Sequence, residues 1–423
     1  MKTLFKNCYV LTGHDVKFTS LIVDDDTISY IGDEPKEYDE MRDMKGMLLM
    51  PGLINAHTHL PMTLVRGAGS GLALQDWLNN AIFPIEAKMK PEDIQAGAMW
   101  AVIEMLASGS TAAVDMYDFP WAEAEVLMQT GVKATVCRVG LAFSEETEIP
   151  PNRLAECIEF VRDFKDPAGR IRAEFCLHSE YLTNEKFVKA IAEANREYKV
   201  NTNIHVSETL KEHNESKERH GLTPIQYMDK CGTFEYPAYA AHCVWVEDKD
   251  LEIMAAKNVT FVHNPSSNFK LGSGFADIRR AMDKGVNVAL GTDGVASNNN
   301  LNMFEEMHLA ALLATGLHRD AAAIKAEEVI DMATINGAKA MGMPDTGILE
   351  VGKKADIIAV SLDGPHMIPS FDILPLLVYS AQGSDVKMTM VDGKILYDNG
   401  IYTTIDVDKA KYDLAEAIKR LSL

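Results

Sequence analysis

Apolar and polar residues alternate through the first fifty positions, with turn residues at "TGHD", "DDDT" and "IGDE". A period of two marks half-buried strands, so this stretch predicts short antiparallel strands. The texture changes at residue 53, where short apolar runs are separated by helical stretches. Eight candidate strands follow, at 53–57, 111–115, 133–139, 171–178, 201–206, 238–242, 260–263 and 286–291. Between the first two, "PEDIQAGAMWAVIEMLASG" sets Ile94, Ala98, Val102 and Met105 on one helical face, with Gly109 to stop the helix.

Strands alternating with helices over this length predict an α/β chain folded as a TIM-like (β/α)8 barrel, with an open doubly wound sheet as the competing architecture. After residue 347 the strand texture returns in "GILEVGKKADIIAVSL" and "VKMTMVDGKILYDNG", with turns at Gly352–Lys353 and Asp392–Gly393. Both chain ends are therefore expected to build one small β-sandwich domain, 1–52 with 348–423, beside a barrel of 53–347. A last amphipathic helix carries Leu414, Ala417, Ile418 and Leu421 on one face.

Composition narrows the class of partner. A formal net charge of -21 over 423 residues argues against binding a nucleic-acid backbone, which needs a basic face. The six cysteines are scattered with no C-x-x-C pair, several in apolar runs, as expected of free thiols in a reducing cytoplasm. The start lacks an uninterrupted apolar run with a cleavage site, and no segment has the length of a membrane span.

The chemistry lies at the strand ends, where barrels of this kind build their sites. The first strand ends in "NAHTHL", and the H-x-H spacing aims His57 and His59 at one point. The fourth ends at His178, the fifth at His205 with Glu208 beyond, the sixth at His242 and the seventh at His263. The eighth runs into "LGTDGVASNNN", which places Asp293 just past the rim. Five of eight strands thus deliver histidine to one face. A single strand-end histidine is ordinarily a hydrogen-bonded structural residue, and His14, His213, His220, His308, His318 and His366 are read that way. Several imidazoles converging without a cation would be desolvated together and would repel when protonated; a metal removes that conflict. Three nitrogens from His57, His59 and His205 with a carboxylate from Asp293 suit Zn²⁺ first and Fe²⁺ second, leaving a position open to water. A bound cation lowers that water's pKa to roughly 7, which points to metal-assisted hydrolysis. The fourth strand, "IRAEFCLHSE", has no lysine to modify for a second metal, so one ion is expected.

The blocks "PGLINAHTHLPMTLVRG", "NIHVSET", "AAHCVW", "HNPSSNFKLGSG" and "LGTDGVASNNNLNMFEEM" resemble the amidohydrolase superfamily over essentially the whole chain. They are most similar to its branch of 5′-methylthioadenosine/S-adenosylhomocysteine deaminases, and triazine hydrolases share most of them. The resemblance implies that His57, His59, His205 and Asp293 bind the metal and that Glu208 shuttles a proton to the ring nitrogen beside the attacked carbon. It implies that Asp293 takes a proton from the water and that His242 stabilises the tetrahedral centre. Glu86 matches a glutamate that binds both ribose hydroxyls, His178 a substrate-contacting histidine, and Arg138 and Arg153 two arginines for the amino-acid tail of S-adenosylhomocysteine. Homo-oligomers are common among such barrels.

The activity so implied is hydrolytic deamination of the adenine ring of S-adenosylhomocysteine or 5′-methylthioadenosine, to the inosyl product and ammonia. The alternative is an aminohydrolase or chlorohydrolase of another N-heterocycle, such as adenosine, 5′-deoxyadenosine, guanine or a triazine. Other chemistries lack their marks. "RGAGSGLALQDW" has no G-K-[ST] ending and reads as a mobile loop near the site, and H-E-x-x-H and P-C-x-x-C are missing. A non-catalytic scaffold would have lost ligands or the proton shuttle, and all are present.

Overall fold

The computed structural model describes residues 1–33, 37–142, 149–164 and 169–423. Eight parallel strands, Leu53–Thr58, Ser110–Tyr117, Lys133–Arg138, Ile171–Leu177, Thr202–Val206, Ala238–His242, Val259–His263 and Val288–Leu290, pair in chain order into a nearly closed barrel. Each lies where the hydropathy pattern predicts a strand, with ends that differ by no more than two residues.

Alternation explains why these runs are apolar throughout. Ile54, Ala112, Val114, Tyr239, Val262 and Ala289 fill the inside, over a floor from Ala338 to Met343. Their chain neighbours, such as Leu53, Ala113, Ala240, Phe261 and Leu290, pack outward in the main core with the helices. Each fully buried Val, Leu or Ile adds about 1.5–3 kcal/mol by leaving water. The helix Pro91–Ala107 starts with proline at its first position and Asp93 Oδ2 accepting from Lys90 N at 2.9 Å. Gly109, at φ +91°, ends the turn after it, as only glycine does without strain.

The chain ends form a separate mixed sheet of nine strands. Met47–Pro51 joins them: it lies parallel to Lys2–Thr12 and antiparallel to Ile357–Ser361. Both faces are buried. Leu49, Ile357, Ala359 and Met388 belong to the sheet's own core, while Leu48, Met50, Ile358 and Val360 pack into the barrel's core. The buried Lys133 of the barrel pairs with Asp356 and, at 2.8 Å, with Asp392 of this sheet. The helix Val407–Leu421 lies on the barrel helix Pro91–Ala107, with Arg420 paired to Asp93. All six cysteines are buried and unpaired. Among the described residues, no helix is long and apolar enough to cross a membrane.

Candidate active site

Three imidazole nitrogens and one carboxylate oxygen meet at the C-terminal rim of the barrel. His205 Nε2 lies 3.1 Å from His57 Nε2 and 3.2 Å from His59 Nε2. Asp293 Oδ1 lies 3.5 Å from His57 Nε2 and 3.1 Å from His59 Nε2. Donors about 2.0–2.1 Å from a common tetrahedral centre sit roughly 3.3 Å from each other, which is the spacing found here. His57, His205, His242 and Asp293 also have donor atoms within 4.8 Å of one another, so the sixth strand's histidine borders the same point.

Local backbone makes this convergence. The pairing of Leu53–Thr58 with its neighbour shifts register between Asn55 and Thr58, which re-aims the chain from Ala56 in the barrel interior to the two histidines. His242 and Asp293 have left-handed backbones, φ +74° and +60°, uncommon outside glycine, and both turn over the barrel mouth. Outer hydrogen bonds then fix three of the four donors. His59 Nδ1 donates to the Met116 carbonyl at 2.6 Å and His205 Nδ1 to the His178 carbonyl at 2.9 Å, so both Nε2 atoms face the centre. Asp293 Oδ2 accepts from the hydroxyls of Ser267 at 2.6 Å and Ser297 at 2.8 Å, leaving Oδ1 for the histidines.

Burial sets the charge states. It pushes His57 down to about 4 and His178 to about 3, and His205 well below its ordinary value. Burial also opposes charge on His59, but Asp293, Asp115 and the Met116 carbonyl outweigh it and lift that ring to about 9. Against its own burial, Asp293 is held well below the usual carboxylate range by His57 and His59. Lone pairs on His57 and His205 and an ionised Asp293 are the forms a cation binds.

A cavity of about 310 Å³ opens beside this centre. His59, His178, His205, His242, Glu208 and Asp293 line its inner end, and Trp77, Leu78 and Phe83 give it apolar walls. Glu208 is buried, with Ser273 Oγ at 3.2 Å from Oε1 and His242 Nε2 at 3.8 Å from Oε2. Burial raises its pKa, and Asp293 adds to the rise. Glu86 lines the same cavity and accepts a 2.6 Å hydrogen bond from the Tyr117 hydroxyl.

Residues 48–396 match the model of the amidohydrolase family. The chain belongs to that family. A 5-methylthioadenosine/S-adenosylhomocysteine deaminase of Acetivibrio thermocellus is 41% identical over 432 residues, 100% of each chain. A 5′-deoxyadenosine deaminase of Methanosarcina acetivorans is 42% identical over 424 residues, 99% of this chain and 98% of that one. A solved adenosine deaminase from Xanthomonas campestris, with bound zinc, superposes with a TM-score of 0.93 at 30% identity, over 99% of this chain and 98% of that one. Family and donor geometry together support a divalent metal ion in this amidohydrolase.

Two expected site residues stand apart from the cavity. His263 has Phe261 as its ring neighbour, 6.4 Å between centroids, and is absent from the cavity wall, so four strands rather than five bring histidine to the site. Val262 points into the barrel, and alternation turns His263 the other way. Arg153 lines the cavity but Arg138 does not. Arg138 Nε donates to Glu156 at 2.7 Å, and both guanidinium groups reach Asp118, Arg153 at 2.7 Å. The glycine-rich loop has Gly67, Gly69 and Gly71 at positive φ, and Trp77 Nε1 donates to the Ala68 carbonyl at 2.9 Å.

Sequence reasoning missed Tyr117, Asp118, Ser267 and Ser297. Tyr117 ends the second strand, in "VDMYDF", and the strand-end rule that found the histidines also covers it. The two serines sit inside quoted motifs, but only the folded chain shows which carboxylate they hold.

Proposed function

We propose that this amidohydrolase removes the 6-amino group of an adenine nucleoside whose 5′ position carries a thioether or hydrogen, with one divalent ion, zinc first, held by His57, His59, His205 and Asp293. When bound, the ion supplies an activated water by lowering its pKa to about 7. Glu208 delivers a proton to the ring nitrogen beside the amino-bearing carbon, making the C=N bond a better electrophile. The raised pKa of its buried carboxyl keeps that proton available nearer neutrality. Asp293 Oδ1 accepts a proton from the attacking water, and His242 Nε2 hydrogen-bonds the oxygen that adds to the ring. The amino nitrogen takes the proton held by Asp293 and leaves as ammonia as the carbon–nitrogen bond breaks. The ring gains a carbonyl and keeps the proton on its nitrogen, and the added oxygen's remaining proton returns to Glu208.

Glu86, steadied by Tyr117, accepts from the two ribose hydroxyls, and His178 contacts the base. Arg153, with Arg138 behind it, takes the carboxylate of an amino-acid tail where one is present. The apolar walls from Trp77, Leu78 and Phe83 suit a purine and a thioether and exclude bulk water. Six buried free thiols fit a reducing cytoplasm. The observation that carries this reading is one cavity with Glu208 beside four converged donor atoms and Glu86 on the same wall. The deaminase names of relatives above 40% identity support it.

The test is an ammonia-release screen of the metal-loaded enzyme against S-adenosylhomocysteine, 5′-methylthioadenosine, 5′-deoxyadenosine, adenosine, guanine and a chlorotriazine. The adenine nucleosides should turn over with kcat/KM of at least about 10⁴ M⁻¹ s⁻¹. Preferred turnover of guanine or the triazine would overturn the proposal.

A further inference from the structure

The Glu208 side chain has little to aim it. Among the described residues its polar neighbours are Ser273 Oγ at 3.2 Å and His242 Nε2 at 3.8 Å, one long hydrogen bond and one contact beyond hydrogen-bond range. Its main chain, by contrast, is tightly held, and a second glutamate does the holding. Glu212 Oε1 accepts from Ser207 N at 3.0 Å, and Glu212 Oε2 accepts from Glu208 N at 2.7 Å. Glu212 is itself only 1% exposed and stands in the first turn of the helix Leu210–His220, whose N-cap Thr209 accepts from Glu212 N at 3.1 Å. Ser207 adopts φ +53°, a left-handed conformation that a serine leaves unless its neighbours hold it. Its carbonyl accepts from Trp245 N at 2.9 Å. The turn that launches Glu208 into the cavity is therefore pinned from both sides.

A carboxylate is suited to this place because both of its oxygens only accept. An amide of the same shape has one accepting oxygen, and its NH₂ would face a main-chain N–H. Burial pushes the Glu212 carboxyl up, and the hydrogen bonds from the Glu208 and Ser207 amides oppose that rise by favouring the ionised form.

We propose that Glu212 is a positioning residue for catalysis: its carboxylate clamps the Ser207 and Glu208 amides and so directs the Glu208 carboxyl at the substrate ring. The role rests on the reading of Glu208 as the proton carrier.

The experiment compares Glu212→Gln and Glu208→Gln, both metal-loaded, by steady-state kinetics with 5′-methylthioadenosine, metal analysis, thermal unfolding and amide hydrogen exchange. Glu212→Gln should lower kcat roughly ten- to hundredfold, as loss of an outer-shell partner does. KM should stay within about twofold, since the loss falls on the transition state. Metal per chain should be unchanged, and exchange protection at Ser207 and Glu208 should drop. Should the glutamine variant fail to fold, Glu212→Asp, which withdraws the carboxylate by one methylene, reads the same split. Wild-type kcat in a loaded Glu212 variant overturns the inference, as does a kcat that falls only in step with metal content and melting temperature. A silent Glu208→Gln beside a fully active Glu212→Gln refutes this inference alone, whereas a fully active Glu208→Gln refutes the reading beneath it.

Discussion

Asn55 and Thr292 close the barrel. Asn55 Nδ2 donates to Thr292 Oγ1 at 2.7 Å and Asn55 Oδ1 accepts from Thr292 N at 2.9 Å, both buried. The bonds join the first strand to the segment after the last, two residues before His57 on one side and one before Asp293 on the other. Asp293 N adds a bond to the His57 carbonyl at 3.0 Å. A metal centre assembled from opposite ends of a sheet depends on this seam.

Asn55→Ala should therefore cost more than its size suggests. It leaves the Thr292 amide unpaired in the interior, at about 1–3 kcal/mol. Metal affinity should fall by about 10–100-fold as the donors lose register. Chelator competition and thermal unfolding measure both, and an unchanged affinity would show that the seam does not hold the site.

Glu208→Gln removes the ionisable proton and keeps the shape. Metal content should match the wild type while turnover drops about 10²–10⁴-fold. A metal-loaded variant with full activity would refute the assigned role.

Tyr117→Phe deletes the 2.6 Å bond to Glu86 without changing the cavity's volume by more than an oxygen. A hydrogen bond to a charged group contributes about 1.5–3 kcal/mol, so kcat/KM for nucleosides should fall roughly tenfold or more. Glu86→Gln should act in the same direction. Turnover of a bare heterocycle lacking ribose should stay level; equal losses on both substrates would remove the ribose role from Glu86.

Much of this was readable before folding, because it rests on period. The eight barrel strands and both alternating ends follow from hydrophobic spacing, and His57, His59, His178, His205 and His242 follow from the rule that barrel sites lie at strand ends. His263 shows where that rule stops: strand position puts it at the rim, but side alternation decides which way it faces. His242 obeys the rule through its left-handed backbone, which no propensity announces in a non-glycine residue. Tertiary partners were equally invisible, because Ser267, Ser297 and Glu212 serve carboxylates or amides that only a folded loop brings near.

Glu174, inside the barrel, makes a stability prediction with a defined sign. Burial lifts its pKa from an ordinary 4.5 to about 8, against the bond it accepts from the Tyr239 hydroxyl at 3.1 Å. Between those values the folded chain binds a proton that the unfolded chain releases, so this group's contribution declines as pH rises and is lost through pH 8. Glu174→Gln cannot ionise. Its melting temperature should be close to wild type at pH 5 and should exceed it increasingly toward pH 8. Parallel curves for the two proteins would contradict the shift.

In the proposed mechanism, segments from three parts of the barrel, carrying His57 with His59, His205 and Asp293, meet around a single divalent ion that the reaction requires. Exhaustive chelation followed by titration with Zn²⁺, with bound metal and ammonia release from 5′-methylthioadenosine measured on the same samples, tests it most directly. Activity should vanish in the metal-free protein and return in proportion to zinc, with a break at one ion per chain. A metal-free preparation that releases ammonia at the undiminished rate would contradict the account.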